Sequence, residues 1–114
     1  MKKFAYSFPI LKDKIDQWLN FAREVNTTHK EEFSKMHQRI GVKKESWFLQ
    51  ESVGGYSVVV YTEAEDEHFM NKFKNDQSGF SQWFREQVSE LQDVDLDFTT
   101  QMPEIVLDWK EKDQ

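Results

Sequence analysis

The sequence predicts an α+β domain in the order β-α-β-β-α-β: one four-stranded antiparallel sheet with two helices on one face. Three observations predict it. Apolar residues alternate at period two in four short runs, and recur at steps of three and four in two longer ones. A Gly-Gly turn joins two of the β-rich runs. Several strands are apolar on both faces, so the second face of the sheet also needs a cover.

The first strand is Lys3 to Ile10, where Phe4, Tyr6, Phe8 and Ile10 alternate with Ala5, Ser7 and Pro9. Pro9 lacks an N–H and suits a strand end. Asp13 can cap a helix whose apolar row runs Ile15, Trp18, Ala22, Val25, His29, Phe33, Met36, Ile40. Gly41 is a stop signal. Asn26-Thr27-Thr28 form helix poorly, which makes them the place for a bend or break. Glu45–Glu51 and Tyr56–Thr62 flank Ser52-Val53-Gly54-Gly55 and form a hairpin. Glu63-Ala64-Glu65-Asp66 then puts negative charge at the next helix N-terminus.

The second helical region carries Phe69, Phe73, Phe80, Phe84, Val88 and Leu91, interrupted by Asn75-Asp76-Gln77-Ser78-Gly79. The reading is a short helix to about Lys74, a turn, and a second piece from about Phe80 to Leu91, with Asp76 or Ser78 as its cap. Residues 93–102 read as a connection. Pro103–Lys110 reads as the last strand, with Ile105, Leu107 and Trp109 on one face, and the remaining tail frays. All 114 residues form a single domain without a linker or repeat.

Composition narrows the function classes. Charged residues make up 32% and hydrophobic residues 38%, and ten Phe, four Trp and three Tyr are too many aromatics for a disordered chain. The absence of Cys excludes disulfides, thiolate catalysis and Cys-ligated metals. No run has the length of a signal peptide or a membrane span, so the expected location is the cytoplasm. A net charge of −6 disfavours nucleic acid and anionic membrane as partners.

Two helices cover one sheet face, and the other should then read polar. The third strand breaks this rule, with Tyr56, Val58 and Val60 on one face and Val59 and Tyr61 on the other. The second strand gives Trp47 and Leu49 on one face and Phe48 on the other. A bare sheet of this kind exposes a patch that soluble monomers rarely tolerate. A homodimer through the open sheet face buries it; cover by the C-terminal tail or by residues 93–102 is the alternative.

This element order resembles the ferredoxin-like fold and, more narrowly, the dimeric α/β-barrel superfamily, in which two such sheets form a barrel with the helices outside. Trp47-Phe48-Leu49-Gln50, Tyr61-Thr62-Glu63-Ala64-Glu65-Asp66, Trp83-Phe84-Arg85-Glu86-Gln87-Val88 and Asp108-Trp109 also resemble a family of small uncharacterised bacterial proteins. Superfamily relatives include cofactor-free monooxygenases and haem-degrading enzymes. The latter use an Asn on the first strand, a Trp on the third and a His at the second helix. Here His68 matches the His, the first strand offers only Tyr6 and Ser7, and the third strand has no Trp. One of three roles is filled.

His29 is the candidate catalytic residue, since it stands in the apolar row of the first helix in register with Val25 and Phe33. It can be a proton shuttle in a pocket or a core histidine satisfied by a carbonyl or hydroxyl. His29 and His37 are eight residues apart, too far for one-turn metal ligation, so no metal is expected. Arg85 can bind a substrate carboxylate or form an ordinary ion pair. Tyr6, Trp47, Tyr61 and Trp109 are strand aromatics that can line a cavity between helices and sheet or simply fill the core or an interface. With His29 and Arg85 they make the candidate ligand pocket. No cofactor is expected, because no phosphate loop, nucleophile elbow or Rossmann fingerprint occurs.

Three readings follow. One is a homodimeric barrel protein with a small-molecule pocket between helices and sheet. Another, by analogy, is a cofactor-independent monooxygenase or isomerase acting on an aromatic substrate, with His29 as acid/base. The third is a non-catalytic interaction or stress-response module whose acidic surface meets a partner.

Overall fold

Alternation at period two builds three strands in the computed structural model, which describes residues 1–92 and 102–112. They are β1 (Lys2–Ile10), β2 (Val42–Ser52) and β3 (Gly55–Ala64). The helices among the described residues are α1 (Ile15–Asn26), α2 (Lys30–Ile40), α3 (Phe69–Asn75) and α4 (Gly79–Gln92). The sheet is antiparallel in the order β1-β3-β2. β3 carries the longest apolar run and takes the centre, where both of its edges are paired.

Register fixes the faces. Tyr6 pairs with Val60 and Phe8 with Val58 on one side, and Trp47 pairs with Val60 and Glu45 with Thr62 on the other. These residues share the inner face, which the helices cover. Val58, Val60, Thr62 and Ala64 are all buried. An irregularity between Val42 and Lys44 restores the inward parity of Val42, which faces Ala64.

The long apolar row of the first helical region breaks where its weak residues stand. α1 ends at Asn26, and the Thr27 hydroxyl donates back to the Arg23 carbonyl at 2.7 Å. Such local bonding competes with helix continuation. α2 restarts after His29 and ends at Gly41, whose φ of 80° closes the helix in the left-handed region. Lys14, not Asp13, occupies the N-cap of α1. The second region divides as its sequence predicts. Ser78 caps α4, its Oγ accepting the Ser81 N–H at 3.2 Å, and Arg39 reaches from α2 to Asp76 at 2.8 Å.

The fourth strand expected over 103–110 is absent: residues 102–112 carry neither helix nor strand. A strand is stabilised by a partner edge and a face to bury, and the inner face is already covered by helices. The segment is instead tied to β1 by Lys3 and Asp108 at 2.7 Å, with Val106, Leu107 and Trp109 largely exposed. The connection expected over 93–102 falls outside the described residues except for Met102, which packs against the core. What is established is an α+β fold with a three-stranded antiparallel sheet. No described helix is long and apolar enough to cross a membrane.

Aromatic rings dominate the core. Phe21 lies 5.9 Å from Trp47, 5.7 Å from Trp83 and 5.3 Å from Phe84 between ring centroids. It joins α1, β2 and α4. Phe21→Ala is expected to destabilise the domain by about 3–5 kcal/mol, read as a lower urea midpoint with an unchanged slope.

Candidate functional site

An inward-facing carboxylate organises the site. Glu45 sits on the inner face of β2, which also carries Val42 and Trp47, opposite Thr62 of β3, and its side chain is 13% exposed. A charge there must be compensated. Its Oε1 meets Nε2 of His37 at 3.1 Å and accepts the Thr62 hydroxyl at 3.3 Å. Its Oε2 accepts the Trp47 indole N–H at 2.7 Å. Tyr6 joins through its hydroxyl, 3.1 Å from Thr62 Oγ1. The result is a chain Tyr6–Thr62–Glu45–His37, with Trp47 on its flank.

Proton accounting settles the state of His37. Its Nδ1 lies 2.8 Å from the Phe33 carbonyl, one turn earlier on α2, and must donate to it. Nε2 then faces a carboxylate oxygen, and two lone pairs cannot meet there. The pair therefore holds one more proton than a neutral imidazole beside an ionised carboxylate. Burial lowers the His37 pKa, but the hydrogen bond and charge of Glu45 and the Phe33 carbonyl outweigh it, and the net direction is upward. The Tyr6 phenol is also held above its ordinary value, first by burial and then by the Glu45 charge, with the Thr62 bond opposing. It stays a neutral phenol.

This chain opens on a cavity of about 80 Å³ between the inner sheet face and the helices. Tyr6, Glu45 and Trp47 line it from the sheet, Met36 and His37 from α2, Met70 from α3, and Phe84 and Gln92 from α4. The wall is mostly apolar. Its volume exceeds the ~10–15 Å³ needed for one water.

The residues expected to form a pocket are distributed over the whole molecule. Tyr6 and Trp47 line the cavity. His29 does not: it is the N-cap of α2, bonds Glu32 at 3.0 Å at the surface, and lies 4.5 Å from the Trp83 ring. Tyr61 is on the outer sheet face, its hydroxyl donating to Glu63 at 2.8 Å. Arg85 donates to the Phe73 carbonyl at 2.8 Å and ties α4 to α3. Trp109 lies in the exposed C-terminal segment. His68 is exposed at the N-cap of α3, its backbone N–H donating to Asp66.

Sequence reasoning missed His37, Glu45 and Thr62. The signal for Glu45 was present, since it shares the parity of Trp47 and Leu49. Among the described residues no group of three or more His, Asp or Glu is placed to hold a metal ion. No protein-family model matches the chain, and no curated protein or solved structure matches it.

Because the His37 pKa is raised in the fold, its contribution to stability is complete below the unfolded value near 6.5 and is lost as pH rises through the folded value. Stability is expected to fall on the alkaline side of 6.5. In Glu45→Gln the carboxylate is gone, so His37 should titrate below its wild-type value and this alkaline decline should vanish. Imidazole resonances followed by NMR against pH, beside urea melts, check both.

Proposed function

We propose that this chain is a homodimeric small-molecule-binding protein of the dimeric α/β-barrel kind, with its ligand in the cavity between helices and sheet. The observation that carries the reading is the chain Tyr6–Thr62–Glu45–His37 opening on a mostly apolar cavity. Burying an ion pair costs hydration that its Coulomb attraction barely returns, and an apolar replacement is often as stable or more so. A pair retained beside a cavity therefore has a use in recognition or proton transfer.

The homodimer is supported by what the single chain leaves bare. Phe48 is 56% exposed on the outer face, opposite Val59 on β3. Val106, Leu107 and Trp109 add exposed apolar surface in the C-terminal segment, where Asp108 meets Lys3 of β1. Light scattering at micromolar concentration should give a mass near twice 13.7 kDa, and Phe48→Lys should shift it toward one chain. A wild-type mass of one chain would remove the dimer from the proposal.

The pocket has its own test. Toluene titrated into the protein should shift the side-chain methyl resonances of Met36, Val58 and Val60, and Val58→Phe, which fills the cavity, should abolish the shifts. Unmoved methyls in the wild-type protein would count against a ligand pocket.

The proton held between His37 and Glu45 favours a second reading: an isomerase or oxygenase without cofactor, acting on an aromatic substrate. His37 would take the acid/base role first assigned to His29, being a histidine in contact with an apolar cavity. His37→Gln, which keeps a polar side chain but cannot shuttle the proton, would separate it from binding: turnover would be lost while binding stays.

A further inference from the structure

We infer that the cavity takes an uncharged ligand that brings a hydrogen-bond donor, an alcohol, phenol or neutral amine, and that it rejects carboxylates. The inference rests on the pocket reading above and specifies its chemistry.

It follows from counting protons. Thr62 has one hydroxyl proton, and its contact with Glu45 requires that proton, because the carboxylate oxygen there accepts. The 3.1 Å contact between Thr62 and Tyr6 must then use the Tyr6 proton. Trp47 has a single N–H, and it is directed at Glu45. Both His37 protons are committed, one to the Phe33 carbonyl and one to Glu45. Every polar hydrogen of this network is therefore used within it. What Tyr6 and Glu45 have left is lone pairs, so a ligand atom meeting them must supply the proton.

Charge gives the second half. The His37 and Glu45 charges compensate each other, so the network has no cation to spare for an anionic ligand. A carboxylate would lose its hydration in a mostly apolar cavity and face Glu45 without a counter-ion. Gln92 also lines the cavity; its Oε1 is taken by the Trp18 indole N–H at 3.0 Å. Its amide N–H groups are neutral and can serve a second polar atom, but they cannot neutralise an anion.

Size limits the ligand further. At about 80 Å³ the cavity is roughly half of the ~150 Å³ that holds benzene elsewhere. A few heavy atoms fit without rearrangement. A six-membered ring requires Met36 and Met70 to yield, which their unbranched, flexible side chains permit.

Phenol and fluorobenzene decide the matter, since they differ by a hydroxyl against a fluorine at nearly equal size. Each is titrated into the full chain at neutral pH and followed at the methyl resonances of Met36, Val58 and Val60. Phenol should bind about tenfold tighter than fluorobenzene, and benzoate should not bind measurably. Without a free acceptor the order reverses, because the phenol hydroxyl leaves water for nothing. Fluorobenzene binding as tightly as phenol, or tighter, overturns the donor requirement and leaves the pocket reading standing. Benzoate binding at the same methyls overturns the exclusion of anions. If neither neutral probe moves the methyls, the pocket reading falls as well. Val58→Phe should abolish both neutral titrations; phenol shifts that persist in a folded Val58→Phe would place phenol elsewhere and overturn the inference. Should that variant not fold, the wild-type titrations still decide.

Discussion

A carboxylate beneath a layer of helices is costly unless hydrogen-bond donors surround it, and the inner layer of this protein is arranged around that requirement at Glu45. Four departures from an apolar pattern turn out to be one arrangement. The β1 row would read Phe4-Phe-Phe8-Ile10 but for Tyr6. Among Val58, Val60, Thr62 and Ala64 on β3, Thr62 alone is polar, and it is fully buried. β2 contributes Trp47, whose indole nitrogen is directed at Glu45. α2 contributes His37 where an apolar residue would pack as well. Each supplies a proton to the carboxylate or to the hydroxyl that bonds it. A network satisfied in this way rigidifies the layer, while one missing member would leave a buried polar group unpaired.

Aromatic packing also positions the network. Phe33 lies 5.9 Å from Trp47 and 5.7 Å from Phe84, and its own carbonyl takes the His37 Nδ1 proton. The ring of Phe33 also lies 4.0 Å from the imidazole. One residue thus fixes His37 twice, by backbone and by ring. The break between α1 and α2 matters for the same reason. It leaves His29 at the N-cap of α2, while Phe33, Met36 and Ile40 of the expected row stay inward with His37 beside them.

Much of this fold was legible because its signals are periodic. The three strands, the hairpin, Gly41 as a stop and the two-piece second helical region follow from alternation, turn residues and capping. The site was less legible, for two physical reasons. His29 and His37 both sit near one apolar row; in the fold His29 falls at the N-cap of α2, while His37, one turn after Phe33, lines the cavity. Glu45 begins a strand when read from sequence, where a charged residue looks like an exposed end. In the fold β2 starts at Val42, and Glu45 becomes an interior position of that strand. The segment 103–110 misled in the opposite direction. Alternation says that a segment can be a strand, but not that an edge and a face remain for it. Its four apolar residues, Ile105, Val106, Leu107 and Trp109, stay exposed, and the described segment pairs with no strand of the sheet.

The two faces of the sheet are not independent. β3 carries Val58, Val60 and Thr62 inward and Val59, Tyr61 and Glu63 outward on alternate residues. A slip of one residue would put Tyr61 under the helices and send Thr62 to the outer face, breaking the link between Tyr6 and Glu45. The register that satisfies Glu45 is therefore also the register that places Val59 beside Phe48 on the outside. Whatever covers that outer patch stabilises the same strand alignment on which the buried network depends, so cover on the outside and chemistry on the inside are coupled through the backbone of β3.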